Sequence, residues 1–113
     1  MTVENSSRIL RTVPREKAFY FFTSIGNYTG SSAVSLKEFM ERINAVNVKS
    51  LDFHLGRGDF EKWTAEVLED KWLANEINRI MQSGLTGEGL RNQLYLTVSR
   101  HFKRLANPGS TRF

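Results

Sequence analysis

The sequence contains no cysteine. Disulfide bonds, thiolate metal sites and thiol catalysis are therefore excluded, and the composition fits a reducing compartment. Long apolar runs are also missing. The longest, Ala18 to Phe22, is far shorter than the roughly 20 residues that span a bilayer. The first ten residues lack an apolar segment behind a basic start, so they do not form a signal peptide. We expect a cytoplasmic protein that does not enter the membrane.

Familiar catalytic motifs are missing as well. The chain has neither a Gly-x-Ser-x-Gly elbow nor a His-Glu-x-x-His helix. With only two histidines, a zinc site would need both of them together with carboxylates, and their spacing does not indicate one. The segment Gly26 to Ser32 superficially resembles a phosphate loop but lacks the Gly-Lys-Ser/Thr ending. We expect no metal, no cofactor and no enzymatic activity.

The chain has 113 residues and a formal net charge of +4, which suits one small domain. The basic excess lies at the two ends, and the middle is mildly acidic. Residues 1–16 are polar and basic, which predicts a flexible arm. Residues 17–106 are predicted to form the helical domain, and residues 107–113 a loose C-terminal tail.

Apolar residues recur at helical spacing through most of the chain, which predicts about five short helices. The clearest begins with a capping box, in which Ser35 and Glu38 satisfy backbone N–H groups at the helix start. The other predicted helix starts, from the side chains that favour N-caps, are Asn47, Asp59, Asp70 and Thr86. Short connections between these helices favour antiparallel neighbours. The predicted fold class is mainly α, with at most one short N-terminal strand.

The N-terminal boundary of this domain is ambiguous. Residues 18–23 are rich in aromatic side chains and end near Gly26, a pattern that suits a buried strand or a first helical turn equally. The segment Gly26 to Ser32 is bracketed by two glycines and is predicted to be a loop.

A dense cluster of polar side chains surrounds two glycines in the middle of the chain. His54, Arg57 and Asp59 lie within six residues of one another, and Trp63 follows. A histidine oriented by a carboxylate can act as a general base, and an arginine can hold an anion. The same residues can instead serve a turn, with Asp59 as an N-cap and His54 as a cap or core residue. We favour this structural interpretation.

A second group of polar residues lies on the last predicted helix. Its members are Arg91, Arg100, His101, Lys103 and Arg104. Side chains of this kind bind phosphates of nucleic acid. They also offset the dipole at a helix C-terminus, and we favour that second interpretation.

Four stretches of the sequence together resemble a family of small domains of unknown function, found mainly in archaea. The stretches are Phe19-x-Phe21, Gly26-x-x-Thr29-Gly30, Ser35-Leu36-x-Glu38-Phe39 and Val48-x-Ser50-Leu51-x-Phe53-His54-x-x-Arg57-x-Asp59-Phe60-x-x-Trp63. The resemblance covers roughly residues 18–81. It implies a shared helical fold but no reaction, and a context beside glycosyltransferases of sugar metabolism in some members. Where the family pattern has Leu-Gly-Asp, this chain has Glu69 between Leu68 and Asp70.

Three functional hypotheses follow. The first is a non-catalytic binding or regulatory module that acts through protein contacts, with a link to carbohydrate metabolism implied by the resemblance. Its predicted surface joins the polar cluster to the glycine-bracketed segment, and comprises His54, Arg57, Asp59, Trp63, Asn27, Tyr28 and Thr29. The alternative is a nucleic-acid-associated protein that uses the basic last helix and the N-terminal arginines. The third is a small hydrolase or transferase that uses His54 and Asp59.

Overall fold

The computed structural model describes residues 6–107. This part of the chain forms six α-helices, one two-stranded sheet and a 3-10 turn at Arg15–Lys17. The elements are α1 (Ser6–Ile9), β1 (Phe19–Ser24), β2 (Asn27–Ala33), α2 (Leu36–Ala45), α3 (Val48–Arg57), α4 (Asp59–Glu66), α5 (Lys71–Gln82) and α6 (Gly87–Ala106). The fold is mainly helical, as expected, but it includes a β-hairpin in place of the single strand that the sequence allowed. None of the helices within residues 6–107 is both long and apolar enough to cross a membrane.

The aromatic run is the first strand of the hairpin. Phe19 and Phe21 are buried while Tyr20 between them is exposed, which is the alternation that a strand imposes. The chain turns at Ile25 and Gly26, where Gly26 has a φ of 78°, a value that glycine adopts without strain.

The prediction of a loop from Gly26 to Ser32 is wrong. Gly26 lies in the turn, but Asn27–Ala33 forms β2, which pairs antiparallel with β1. The first four side chains of β2 are all exposed. A strand of this kind lacks the apolar alternation that identifies strands in a sequence, so its polar composition was mistaken for that of a loop.

Three of the predicted helix starts are confirmed by their hydrogen bonds. The Glu38 N–H donates to Ser35 Oγ at 3.2 Å, and Glu38 Oε1 in turn accepts the Val34 N–H at 3.0 Å. Asn47 Oδ1 accepts the Lys49 N–H at 2.8 Å. The third is Asp70, whose Oδ1 accepts the Leu73 N–H at 3.1 Å.

The other two predicted caps differ in the structure. Gly58, with a φ of 76°, both ends α3 and precedes α4, so Asp59 is the first residue of α4 and its carboxylate is free to bond elsewhere. Thr86 precedes α6 without a capping side-chain bond. Instead, Asp52 Oδ1 from α3 accepts the Gly87 N–H at 3.0 Å, a contact between elements that local spacing cannot reveal.

The core is built around aromatic rings. The centre of the Phe60 ring lies 5.1 Å from that of Phe19 and 5.3 Å from that of Phe39. The hairpin packs on α2 and α3, α4 packs on α5, and α6 packs against α2, α3 and α5. Aromatic side chains thus join the sheet to the helices through one continuous cluster, which positions β1 against α3.

The described part of the predicted arm packs onto the domain. Ile9 in α1 and Val13 are buried in the core cluster, and the Val13 N–H donates to the Val34 carbonyl at 2.8 Å. Residues 6–16 are therefore tied to the fold by two apolar anchors, in contrast to the expected flexible arm. The first five residues and most of the predicted C-terminal tail, residues 108–113, lie outside the described range.

Removal of the Phe60 ring should destabilise the whole domain. Phe60 is completely buried, and Phe→Ala changes in a core cost about 3–5 kcal/mol. We expect Phe60→Ala to lower the free energy of unfolding by that amount, measured by urea denaturation. The matched control is Leu96→Ala, because Leu96 is exposed and surface changes usually stay within ~0.5 kcal/mol. Equal effects of the two substitutions would contradict the proposed core.

Glu69 is the one residue other than glycine with positive φ in the described range, at 62°. This conformation costs an L-residue about 1–2 kcal/mol, and the ion pair from Arg8 to Glu69 is exposed, so water screens it and it offsets little of that strain. We expect Glu69→Gly to raise the free energy of unfolding by up to about 1 kcal/mol.

The control for this change is Glu76→Gly in the interior of α5. That substitution should lower the free energy of unfolding by about 1 kcal/mol, because glycine is a poor helix former. If urea denaturation shows Glu69→Gly to be as destabilising as Glu76→Gly, the positive φ of Glu69 carries no strain.

Candidate functional site

His54 is held by both nitrogens of its ring. Nε2 accepts the backbone N–H of Phe22 at 2.8 Å, and Nδ1 lies 2.8 Å from Asp59 Oδ2. Since Nε2 is the acceptor of an N–H bond, the ring proton belongs on Nδ1, where it is donated to the carboxylate. His54 therefore links β1 to the start of α4, and it is buried.

Arg57 shares the carboxylate of Asp59. Its Nε donates to Asp59 Oδ2 at 3.0 Å, and its guanidinium lies over the Phe53 ring at 5.1 Å from the ring centre. About half of the Arg57 side chain is exposed. The terminal guanidinium nitrogens make no hydrogen bond within residues 6–107, so they are free to bind a carboxylate or another anion.

Burial controls the protonation of His54. Desolvation lowers the pKa of His54 below its ordinary value, because the charged imidazolium is disfavoured away from water. The hydrogen bond and charge of Asp59 raise this pKa but do not overcome the desolvation, and Arg57 lowers it further. The neutral ring is thus the form that the fold selects.

An open pocket of about 330 Å³ lies between the hairpin and the end of α3. We name it the hairpin pocket, and its lining residues are Phe19, Tyr20, Phe22, Ser24, Ile25, Gly26, Phe53, His54, Arg57 and Asp59. Aromatic side chains supply much of its wall, and the polar groups are concentrated at the α3–α4 junction. A concave, aromatic surface with a few convergent polar groups is the usual form of a binding site.

The rim of the pocket carries exposed apolar side chains. Ile25 at the hairpin turn is 84% exposed, an exceptional value for isoleucine. Tyr20 and Tyr28 are also exposed, with ring centres 5.9 Å apart. Contiguous apolar groups on a protein surface usually mark an interaction site.

The residues predicted for this surface divide into two groups. His54, Arg57 and Asp59 come together at the pocket, and Tyr28 is exposed beside its rim. Asn27 and Thr29 are engaged within the hairpin: Asn27 Nδ2 donates to Thr23 Oγ1 at 2.6 Å, and Thr29 Oγ1 donates to the Phe21 carbonyl at 2.8 Å.

Trp63 does not belong to the pocket. It is buried against Phe19 and Phe39, and its Nε1 donates to the Lys17 carbonyl at 2.8 Å. Sequence reasoning missed Ile25, which is the most exposed of the large apolar side chains described. Its position next to Gly26 was the available indication of a turn tip.

The second histidine also pairs with a carboxylate. His101 Nε2 lies 2.6 Å from Asp70 Oδ2, and Arg104 Nη2 lies 3.2 Å from His101 Nδ1. Because an arginine can only donate, Nδ1 is the acceptor and the ring proton belongs on Nε2. His101 is buried, so it holds α6 against the start of α5 rather than reaching toward phosphates.

The remaining basic residues of α6 have different environments. Arg91 is largely buried and donates to the Ile43 carbonyl and to Glu88, so it connects α6 to α2. Arg100, Lys103 and Arg104 are exposed. In the part of the chain that the structure describes, no group of three or more histidine and acidic side chains converges in a way that could hold a metal ion.

The lowered pKa of His54 predicts loss of stability in acid. The unfolded chain binds a proton to this histidine near its ordinary pKa of 6.5, whereas the folded state resists protonation until lower pH. The contribution of His54 is therefore complete above that value and declines as the pH falls below it. We expect the urea midpoint of the wild type to fall between about pH 7.5 and about pH 5.5.

His54→Gln is the control for this titration, because its amide has both a donor and an acceptor but no proton to gain. All other titratable side chains are present in both proteins, so the difference between the two declines reports on the substitution at position 54. We expect a smaller decline in the variant. Equal declines would show that His54 is not the group that titrates.

Comparisons with known proteins add no further evidence on function. No family model, curated protein or solved structure matches the chain. Conclusions about function therefore depend on the chemistry of the residues described above.

Proposed function

We propose that the protein is a non-catalytic binding module that acts through protein contacts, with the hairpin pocket as its docking surface. One observation carries the proposal: the polar groups beneath the pocket are bonded to the fold, while the rim presents Ile25, Tyr20 and Arg57 to solvent. The groups that a partner can contact are therefore apolar, aromatic and arginine side chains of the kind found at protein interfaces.

The state of His54 supports binding over acid–base chemistry. A general base needs a free lone pair within hydrogen-bond reach of its substrate. In His54, Nδ1 bonds Asp59, and Nε2 accepts the Phe22 N–H. A reaction at Nε2 would require that backbone bond to break, which would remove the hydrogen bond that fixes β1 on α3. The pair is better suited to hold the pocket in shape.

The pocket and its rim support a specific kind of partner. A volume of about 330 Å³ can receive a large apolar side chain, and the aromatic walls favour its burial. The free guanidinium nitrogens of Arg57 favour a carboxylate beside it, since charge-assisted pairs are stronger than neutral ones. The partner we propose presents an apolar anchor next to aspartate or glutamate.

The resemblance described above suggests where to look for this partner. Some members of the family that this sequence resembles lie beside glycosyltransferases. An enzyme of sugar metabolism is therefore the first class of partner to test. The link to sugar metabolism follows from the resemblance, whereas the apolar anchor beside a carboxylate follows from the residues of the hairpin pocket.

Arg57→Gln should abolish the preference for acidic partners. The test is a peptide array with matched pairs, in which a leucine or phenylalanine is flanked by Asp/Glu in one member and by Asn/Gln in the other. We expect the wild type to prefer the acidic member by about tenfold, since a hydrogen bond to a charged group contributes about 1.5–3 kcal/mol. Arg57→Gln should bind both members equally.

Arg79→Gln is the matched control, because Arg79 is highly exposed on α5 and does not line the pocket. It should keep the wild-type preference. A second variant, Ile25→Asp, should weaken binding of both peptide sets because it removes the apolar tip. The proposal is refuted if no apolar peptide binds, or if Arg57→Gln retains the acidic preference.

A further inference from the structure

A second exposed aromatic surface lies at the start of α5. Trp72 is 45% exposed, although its ring is covered in part by two polar neighbours. The His101 ring stacks on it with centres 4.6 Å apart and an angle of 26°, and the Arg104 guanidinium lies 4.9 Å from the Trp72 ring centre. We call Trp72, His101 and Arg104 together the Trp72 platform.

Both polar neighbours must lie on the same side of the indole. Arg104 Nη2 and His101 Nδ1 are 3.2 Å apart, a separation too short for groups stacked on opposite faces of one ring. The covered face is therefore the one toward α6. Trp72 is nevertheless 45% exposed, and no ring of the described residues other than His101 stacks on it. The face opposite His101 is therefore the one available to a second ring.

The platform is rigidly supported from below. His101 bonds to Asp70, which is itself buried and caps α5 through the Leu73 N–H. The Trp72 indole thus packs on an imidazole whose rotation would break its buried hydrogen bond to Asp70. A preorganised aromatic face needs little ordering when a second planar ring stacks on it.

Further basic side chains lie close to Trp72 along the chain. Arg100 lies one helical turn before Arg104, on the same side of α6, and Lys71 and Lys103 adjoin Trp72 and Arg104 in the sequence. All are exposed, and Lys71, Arg100 and Lys103 take part in no ion pair within residues 6–107. Three acidic residues lie nearby, and each is already paired: Asp70 with His101, Glu69 with Arg8, and Glu76, one helical turn after Trp72, with Arg79.

We propose that the Trp72 platform binds unpaired nucleotides of single-stranded nucleic acid. A nucleobase stacks on the open face of Trp72, and adjacent phosphates contact Arg104 and Arg100. An open aromatic face flanked by cations is the arrangement that recognises single strands, since every base has a planar face to stack. A duplex hides its base faces, and an acidic protein segment would use the cations but leave the ring uncovered.

The test is fluorescence anisotropy with labelled oligonucleotides of equal length: oligo-dT, oligo-U, an abasic strand and a DNA duplex. The abasic strand keeps the phosphates and lacks the rings, so it separates stacking from charge. We expect oligo-dT and oligo-U to bind about tenfold or more tightly than the abasic strand. The two bound strands should also quench tryptophan fluorescence.

Variants assign the binding to this surface. Trp72→Leu should weaken oligo-dT about tenfold or more, while Trp72→Phe should keep most of the affinity and lose the quenching. Arg100→Gln should weaken every strand and reduce the salt slope by about 0.7, the value for one single-strand phosphate contact. Arg79→Gln and Ile25→Asp should behave like the wild type, which distinguishes this surface from the hairpin pocket.

Several outcomes would overturn the proposal. Equal binding of abasic and normal strands, or an unchanged affinity of Trp72→Leu, would show attraction to charge alone. Tighter binding of the duplex would argue against stacking on an unpaired base. Absence of binding to any strand at low salt would remove nucleic acid as the occupant.

Discussion

The bond from the Phe22 N–H to His54 Nε2 is the interaction on which the candidate site depends. The hairpin is only two strands wide, and isolated hairpins are marginally stable in water. Its aromatic face packs on α2 and α3, but apolar packing alone does not fix the position of a strand along a helix. A directional bond from a buried imidazole does, and Asp59 fixes the imidazole in turn. The walls of the hairpin pocket are held at their separation by this chain of bonds.

The same arrangement occurs a second time in the molecule. In both pairs a carboxylate at the start of a helix, Asp59 as the first residue of α4 and Asp70 as the N-cap of α5, accepts from a buried histidine of another helix. The positive end of the helix dipole favours the negative charge there. In both, an arginine bonded to the pair extends over an aromatic ring at the surface, Arg57 over Phe53 and Arg104 over Trp72. Each histidine–aspartate pair thus supports an aromatic surface of the fold, although only His54 and Asp59 are close enough in the sequence to suggest catalysis.

The sequence predicted features that depend on neighbouring residues. The capping bonds of Ser35, Asn47 and Asp70 each join residues two or three positions apart, so spacing alone identifies them. The partner of His101 lies 31 residues away, and the donor to His54 lies 32 residues away. These contacts follow from how the elements pack, which local periodicity does not contain. Their absence from the sequence analysis is the reason that His54 stayed ambiguous between core, cap and site.

The two tryptophans show why the exposed aromatic surfaces were the least predictable part of the structure. Both lie on short helices with apolar faces, yet Trp63 points into the aromatic core and Trp72 is only half covered. Trp72 is the second residue of α5, beside the Asp70 cap. It stacks on the imidazole that Asp70 holds in place, so this contact rather than the apolar face of the helix sets its position. A large ring that is held by polar neighbours at the edge of the fold stays partly exposed to solvent. Exposure of this kind depends on the assembled fold, because a tryptophan on a short helix is a core residue in α4 and a surface residue in α5.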